Sequence, residues 1–146
     1  MFRTYFVPVG IIGLSALLQN TDALLIGGIK PNIVLAVVIA LGVFVESFAF
    51  YVFLVLMGVV LLQTVPGFEK EIFVLAALLI GTFFIQKFLP WQQIINVIVL
   101  IIGATFIFYL VTYSSGFWPF ALFESFYNII FGSIWYVMYA AYKTRI

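Results

Sequence analysis

Residues 91–113 read WQQIINVIVLIIGATFIFYLVTY and contain no charged side chain. A hydrocarbon core of about 30 Å requires roughly 20 consecutive apolar residues in a helix, so this stretch predicts a transmembrane helix. Outward from it, residues 120–142 contain one charged side chain, Glu124, and residues 48–65 contain none. The same pattern therefore repeats on both sides, which is typical of a polytopic membrane protein.

The spacing of the apolar runs predicts an all-α membrane protein with six transmembrane helices in a single domain, residues 1–146. The predicted spans are residues 4–18, 31–45, 48–65, 72–88, 91–113 and 120–142. The second and fourth spans are short for a bilayer. Because the link at Glu46 and Ser47 is tight, one long bent helix over residues 31–65 is an alternative. It would leave five spans and move one terminus to the other side of the membrane.

Composition excludes several classes of function. Of the 146 residues, 66% are apolar, six are basic and five are acidic, whereas a soluble domain carries about a quarter charged residues. A net charge of +1 without a basic cluster gives no reason to expect nucleic acid as a partner. The chain has no Cys and no His, so it lacks the commonest general base and the commonest metal ligands. We expect a non-enzymatic protein without metal or cofactor, in contact with the lipid bilayer.

The distribution of Lys and Arg predicts the orientation of the chain. In a six-span arrangement both termini share one side of the membrane. That side holds four basic residues, and the other side holds Lys30 and Lys70. The four are Arg3, Lys87, Lys143 and Arg145. Because cytoplasmic loops carry the excess of basic residues, we expect both termini in the cytoplasm.

Small residues predict where helices approach one another. In lipid, glycine and alanine allow close contact between helix backbones, and this contact replaces the hydrophobic drive for packing. We expect helix packing at Gly42, Gly58, Ala77, Gly81 and Gly103. Pro31 suits the first position of the second helix, where its missing N–H removes no hydrogen bond.

Glu124 is the most informative charged residue within a predicted span. An ionisable group inside a span costs on the order of 2.5–3.5 kcal/mol at the helix centre, so each one requires an explanation. Asn128 follows one turn later on the same helical face. One interpretation is a carboxylate at the positive end of a helix dipole, within reach of interfacial water. The other is a polar contact for a partner helix or a ligand.

Three short motifs together resemble the MreD family, the small polytopic subunit of the bacterial rod-shape complex. They are Lys30-Pro31-Asn32 at the start of the second span, Trp91-Gln92-Gln93 at the start of the fifth, and Glu124-Ser125-Phe126-Tyr127-Asn128 with Gly132 in the sixth. A basic tail of Lys143 and Arg145 also fits the family. One position departs from it, because Leu62 stands where family members commonly carry an aspartate in the third span.

The resemblance implies a fold similar to the substrate-binding subunits of energy-coupling-factor transporters. It also implies a subunit of the bacterial inner membrane that binds the single-span scaffold MreC. Such a subunit helps to couple MreB filaments to the RodA–penicillin-binding-protein synthase of peptidoglycan, and so to control cell shape. On this interpretation Glu124, Asn128, Gly132, Lys143 and Arg145 contact the partners.

Two other functions stay open. A vitamin-binding subunit of a transporter would have the same fold and would need polar groups that converge near one membrane face. A membrane-embedded enzyme would need a nucleophile and a base, and without His or Cys the sequence shows no such pair.

Overall fold

The computed structural model describes residues 2–21, 24–62, 70–113, 116 and 118–145. These residues form six α-helices. They are α1 (Phe2–Asn20), α2 (Ile33–Gly42), α3 (Phe48–Leu62), α4 (Lys70–Ile85), α5 (Gln93–Thr112) and α6 (Trp118–Lys143). The prediction of an all-α fold with six helices is therefore confirmed. Residues 63–65 of the predicted third span and the side chain of Arg3 lie outside the described part.

Residues 43–47 separate α2 from α3, so the alternative of one bent helix over residues 31–65 is wrong. Within the described residues, α5 and α6 are the two helices long and apolar enough to cross a membrane. Helices α2 and α3 are apolar but shorter, and so is the described apolar part of α1, Tyr5–Asn20.

Helix α2 is the centre of the fold. All ten of its residues are buried, and it contacts each of the other five helices. At 1.5 Å per residue, ten residues extend about 15 Å, roughly half of a hydrocarbon core. The predicted span 31–45 is thus a short helix surrounded by protein. Hydropathy alone does not distinguish burial in protein from burial in lipid.

Helix α2 begins at Ile33, two residues further along than the sequence suggested. Asn32 is the N-cap, and its side-chain oxygen accepts a hydrogen bond from the backbone N–H of Leu35 at 3.1 Å. Pro31 precedes the cap, so its predicted place at the first helical position is wrong. An asparagine side chain can satisfy a free N–H of the first turn, and proline has no polar side chain to do so.

The helices alternate in direction, so the start of α1 and the end of α6 lie at one end of the bundle. At this end, Tyr136 of α6 donates a hydrogen bond to Gln93 of α5 at 3.4 Å. At the other end, the side chain of Asn20 donates to the carbonyl of Leu61 at 2.8 Å. We call these the terminal end and the opposite end. That both termini lie on one side of a membrane stays a prediction.

Close packing at glycines is confirmed for two of the predicted positions and wrong for two others. A Cβ atom on Gly42 would lie 2.6 Å from the Tyr51 ring, and one on Gly58 would lie 2.9 Å from Val34. At Gly81 and Gly103 a Cβ atom would meet no atom within 4 Å. Spacing identifies small residues on one face but does not establish which way that face points.

Tyr51 of α3 joins α3 to α4 through its hydroxyl group. The ring is buried, and the hydroxyl donates to the carbonyl of Leu79 at 2.9 Å and lies 3.0 Å from the Thr82 hydroxyl. We expect Tyr51→Phe to lower the free energy of unfolding by about 1 kcal/mol, since a net intramolecular hydrogen bond contributes about that much. Thermal unfolding in detergent measures this difference. The exposed Tyr5 supplies the control, and equal losses for Tyr51→Phe and Tyr5→Phe would contradict the prediction.

Candidate functional site

A buried group of polar side chains lies where α2 begins, near the opposite end of the bundle. We call it the α2 polar cluster. Its members are Gln19 of α1, the N-cap Asn32, Thr105 and Tyr109 of α5, and Glu124 and Asn128 of α6.

Glu124 is the acidic member of the cluster. Its side chain is 5% exposed. Tyr109 donates a hydrogen bond from its hydroxyl to one carboxyl oxygen, and the amide of Asn128 donates to the other at 3.4 Å. The backbone of Asn32 also forms a hydrogen bond with this carboxyl group. All three partners are neutral, so the carboxyl group is held by hydrogen bonds from uncharged groups.

Asn128 connects α6 to α5. It is fully buried, and its amide nitrogen also donates to the hydroxyl of Thr105 at 3.1 Å. Its side-chain oxygen and the hydroxyl of the neighbouring Ser125 have no hydrogen-bond partner. Leaving a buried polar atom without a partner costs about 1–3 kcal/mol. The cluster therefore contains hydrogen bonds that join α5 to α6, and it also contains two buried polar atoms without a partner.

Gln19 and Asn32 complete the start of α2. The amide of Gln19 donates to the side-chain oxygen of Asn32 at 3.3 Å and accepts from the backbone N–H of Val34 at 2.8 Å. The start of α2 is thus bonded by Gln19 of α1 and, through the backbone of Asn32, by Glu124 of α6. The Glu124 carboxyl group lies next to this turn, where the positive end of the helix dipole favours negative charge.

The far end of α2 is also held by side chains from other helices. Gln86 donates to the carbonyl of Gly42 at 3.4 Å, and Lys143 donates to the carbonyl of Phe44 at 3.5 Å. A cation at a helix C-terminus is favourable for the same electrostatic reason. Helix α6 therefore places the acidic residue Glu124 at the start of α2 and the basic residue Lys143 just beyond its end.

The structure corrects the predicted role of three site residues. Glu124, Asn128 and Gly132 were expected to contact a partner, but all three are buried and face α2 and α5. A Cβ atom on Gly132 would lie 2.4 Å from Ile101 and 3.3 Å from the carbonyl of Ala36. These residues hold the bundle together from inside. The interpretation of Glu124 as a carboxylate in reach of interfacial water is also wrong, because α5 and the start of α2 cover it.

The remaining predicted residues divide between the two ends. Asn32 joins the α2 polar cluster next to Glu124. Trp91, Gln92 and Gln93 are exposed at the terminal end, as are Lys143 and Arg145. The family motifs therefore do not form one site.

Sequence reasoning missed Tyr109 and Gln19, and it treated Thr105 as an isolated polar residue. One signal was present, because Thr105 and Tyr109 are four residues apart, as are Glu124 and Asn128. Two polar pairs with the same spacing on consecutive helices fit one shared interface. Gln19 gave no comparable signal.

As a chemical site, the cluster suits hydrogen bonding better than catalysis. Among the described residues, no three acidic, His or Cys side chains lie close enough together to hold a metal ion. The only acid in the cluster has neutral neighbours, whereas nucleophilic catalysis requires a nucleophile next to a base. No protein-family model, curated protein or solved structure matches this chain.

Proposed function

We propose that the chain is a multi-pass protein of the bacterial cytoplasmic membrane, with all six helices embedded and both termini in the cytoplasm. The observation that carries this proposal is the placement of polar and apolar side chains. Glu124, Asn128 and Thr105 are inside the bundle, while large apolar side chains are exposed on α1, α3, α4, α5 and α6. Polar groups within membrane spans face the interior of the bundle in this way.

The short helix α2 supports the same placement. Helices shorter than the hydrocarbon core are tolerated at membrane depth where protein surrounds them and satisfies their backbone groups. Complete burial of α2, with side chains bonded to both of its ends, meets that requirement.

Within the membrane, the proposed role is a non-enzymatic assembly subunit of the cell-elongation complex. It would bind an MreC-like single-span scaffold and help to couple MreB filaments to the RodA–penicillin-binding-protein synthase. The support is the resemblance of the three motifs to the MreD family, together with an outer surface rich in Phe and Leu that suits contact with other helices.

The surface proposed for the scaffold's helix is an apolar groove of 370 Å³ between α4 and α5, which we call the α4–α5 groove. Ala77 and Gly81 line one wall, and Gly103 and Ala104 line the other. Small residues on both walls allow the backbone of another helix to approach closely, as helix packing in lipid requires. Gly81 and Gly103, which line this groove and do not pack within the chain, would thus pack against a partner.

The test is co-purification with an MreC-like scaffold from the same genome in mild detergent. We expect the wild-type chain to retain the scaffold, and Gly81→Leu or Gly103→Leu to reduce its recovery by about tenfold. Overpacking a contact costs about 1–3 kcal/mol, and 1.4 kcal/mol corresponds to tenfold in affinity. Because a Cβ atom at either glycine meets no neighbour within 4 Å, both variants should fold.

Gly13→Leu is the matched control. Gly13 lies on α1, outside the groove, and a Cβ atom there also meets nothing within 4 Å. Unchanged recovery with the groove variants would remove the groove from the proposal. Failure of the wild-type chain to retain any such scaffold would overturn the assembly role itself.

The alternative, a vitamin-binding subunit of a transporter, gains support from one observation. Six polar side chains converge near the opposite end, and the Asn128 oxygen among them has no partner. However, these groups are used mainly to bond to one another and to cap α2. A vitamin that co-purifies stoichiometrically, seen by native mass spectrometry, would favour this function over the assembly role.

A further inference from the structure

A cleft of 360 Å³ opens at the terminal end of the bundle, between the segment after α2, the turn after α4 and the first turn of α5. We call it the terminal cleft. Its polar lining consists of Glu46, Gln86, Lys87, Gln93 and Asn96. A volume of this size lies in the range of about 300–1,000 Å³ that is typical of small-ligand pockets.

Asn96 is the buried polar residue of the terminal cleft. It is 7% exposed, and its amide nitrogen donates to the carbonyl of Leu89 at 3.4 Å. Its side-chain oxygen has no partner, although the side chain lines the cleft. Buried polar atoms are nearly always hydrogen-bonded, so this oxygen has unused capacity to accept a hydrogen bond.

Among the other groups of the lining, Gln86 and Glu46 offer acceptors, whereas the side-chain oxygen of Gln93 already accepts a hydrogen bond from Tyr136. Gln86 uses its amide nitrogen on the carbonyl of Gly42, which leaves its oxygen for other contacts. Glu46 adds an exposed carboxylate. A primary ammonium group, with three N–H donors and a positive charge, matches a site with a carboxylate and unused amide oxygens.

Lys87 supplies the opposite charge in the same cleft. Its ammonium lies 4.4 Å from the centre of the Phe83 ring, which fixes its position near the cleft wall. A cation at this place suits a phosphate group. The exposed rings of Phe88 and Trp91 follow directly along the chain, and aromatic rings are typical of the level of the lipid headgroups.

We propose that the terminal cleft binds the headgroup of a phospholipid with a primary ammonium, the phosphatidylethanolamine class. The ammonium contacts Glu46 and the Asn96 oxygen, and the phosphate contacts Lys87. The inference rests on the membrane placement proposed above. It does not depend on the assembly role, because the α4–α5 groove and the terminal cleft are lined by different residues.

Native mass spectrometry of the full chain in mild detergent tests this binding. The probes are phosphatidylethanolamine, phosphatidylcholine and phosphatidylglycerol with identical acyl chains. We expect phosphatidylethanolamine to bind about tenfold more tightly than phosphatidylcholine, whose trimethylated nitrogen has no N–H to donate. Glu46→Gln and Asn96→Leu should each bring the two affinities close together.

Gln92→Leu is the matched control, because Gln92 is exposed at the start of α5 and makes no side-chain capping bond. Its lipid preference should equal that of the wild type. Since Glu46 is exposed, Glu46→Gln keeps the test valid even if Asn96→Leu fails to fold. Equal binding of the two zwitterionic lipids by the wild type, or tightest binding of phosphatidylglycerol, would overturn the inference.

Carbonate extraction of cell membranes shows whether a negative result contradicts the lipid site alone or also the proposed membrane placement. A chain that is released by carbonate contradicts the placement and the lipid site together. A chain that stays in the membrane fraction but shows no preference for phosphatidylethanolamine contradicts the lipid site alone.

Discussion

Substitution of Gly132 by valine is expected to destabilise the bundle by about 1–3 kcal/mol, the usual cost of overpacking a well-filled interior. A Cβ atom at this position would lie 2.4 Å from the end of Ile101 and 3.3 Å from the carbonyl of Ala36. Ile101 is itself fully buried, so its side chain has little room to move, and the backbone of α2 cannot retreat without disturbing five helix contacts. Detergent unfolding followed by circular dichroism measures the loss.

Gly103→Val is the matched control for this experiment. Gly103 also lies in the middle of a helix, but a Cβ atom there meets nothing within 4 Å. Both substitutions change helix propensity in the same way, so the difference between them isolates the packing at α2. If both variants unfold at the same denaturant concentration, the close approach of α6 to α2 is not a source of stability.

Removal of the buried carboxyl group should have a comparable effect. We expect Glu124→Ala to lower the free energy of unfolding by about 2 kcal/mol or more, because it removes the carboxyl group that accepts from the Tyr109 hydroxyl and from the Asn128 amide, which keeps only Thr105 as an acceptor. Glu124→Gln should cost about 1 kcal/mol or less, since an amide oxygen still accepts from Tyr109. Thermal unfolding of both variants in the same detergent gives the comparison.

Glu46→Ala is the control for loss of a carboxyl group, because Glu46 is exposed at the terminal end. Surface substitutions of this kind usually change stability by less than about 0.5 kcal/mol. A double variant that combines Glu124→Ala with Tyr109→Phe should lose less stability than the sum of the two single losses, since Tyr109 and Glu124 share one hydrogen bond. Additive losses would show that the Tyr109–Glu124 hydrogen bond does not stabilise the bundle. A Glu124→Ala variant as stable as Glu46→Ala would show that the buried carboxyl group contributes nothing to stability.

The helices themselves were largely predictable from the sequence. The predicted spans 91–113 and 120–142 differ from α5 and α6 by one or two residues at each end. An apolar run bounded by Gly, Pro or charged residues predicts one helix, and this prediction depends only on residues close together in the chain. The signal was least accurate at α2, where a run of fifteen predicted residues contains a ten-residue helix. Turns and a cap occupy the rest, and their apolar side chains resemble a continuing helix.

The candidate site was predictable only in part. Glu124 and Asn128 were identified because polar groups are unusual inside an apolar run. Tyr109 lies 15 residues from Glu124, and Gln19 lies 13 residues from Asn32, so nothing in the local sequence connects these groups. The wrong packing predictions for Gly81 and Gly103 have the same cause. Both glycines have the spacing of packing residues, but the local sequence does not show that they line an open groove.

By itself, the sequence determined that this protein is a set of six helices with apolar surfaces and one exceptional acid, because those properties depend on side chains close together along the chain. Only the tertiary structure decided that α2 is the buried centre, that Glu124 is bonded to its N-cap residue Asn32 inside the bundle, and which glycines are left free on the surface. Those outcomes depend on how each helix is rotated about its axis, and that rotation is set by contacts between residues far apart in the chain.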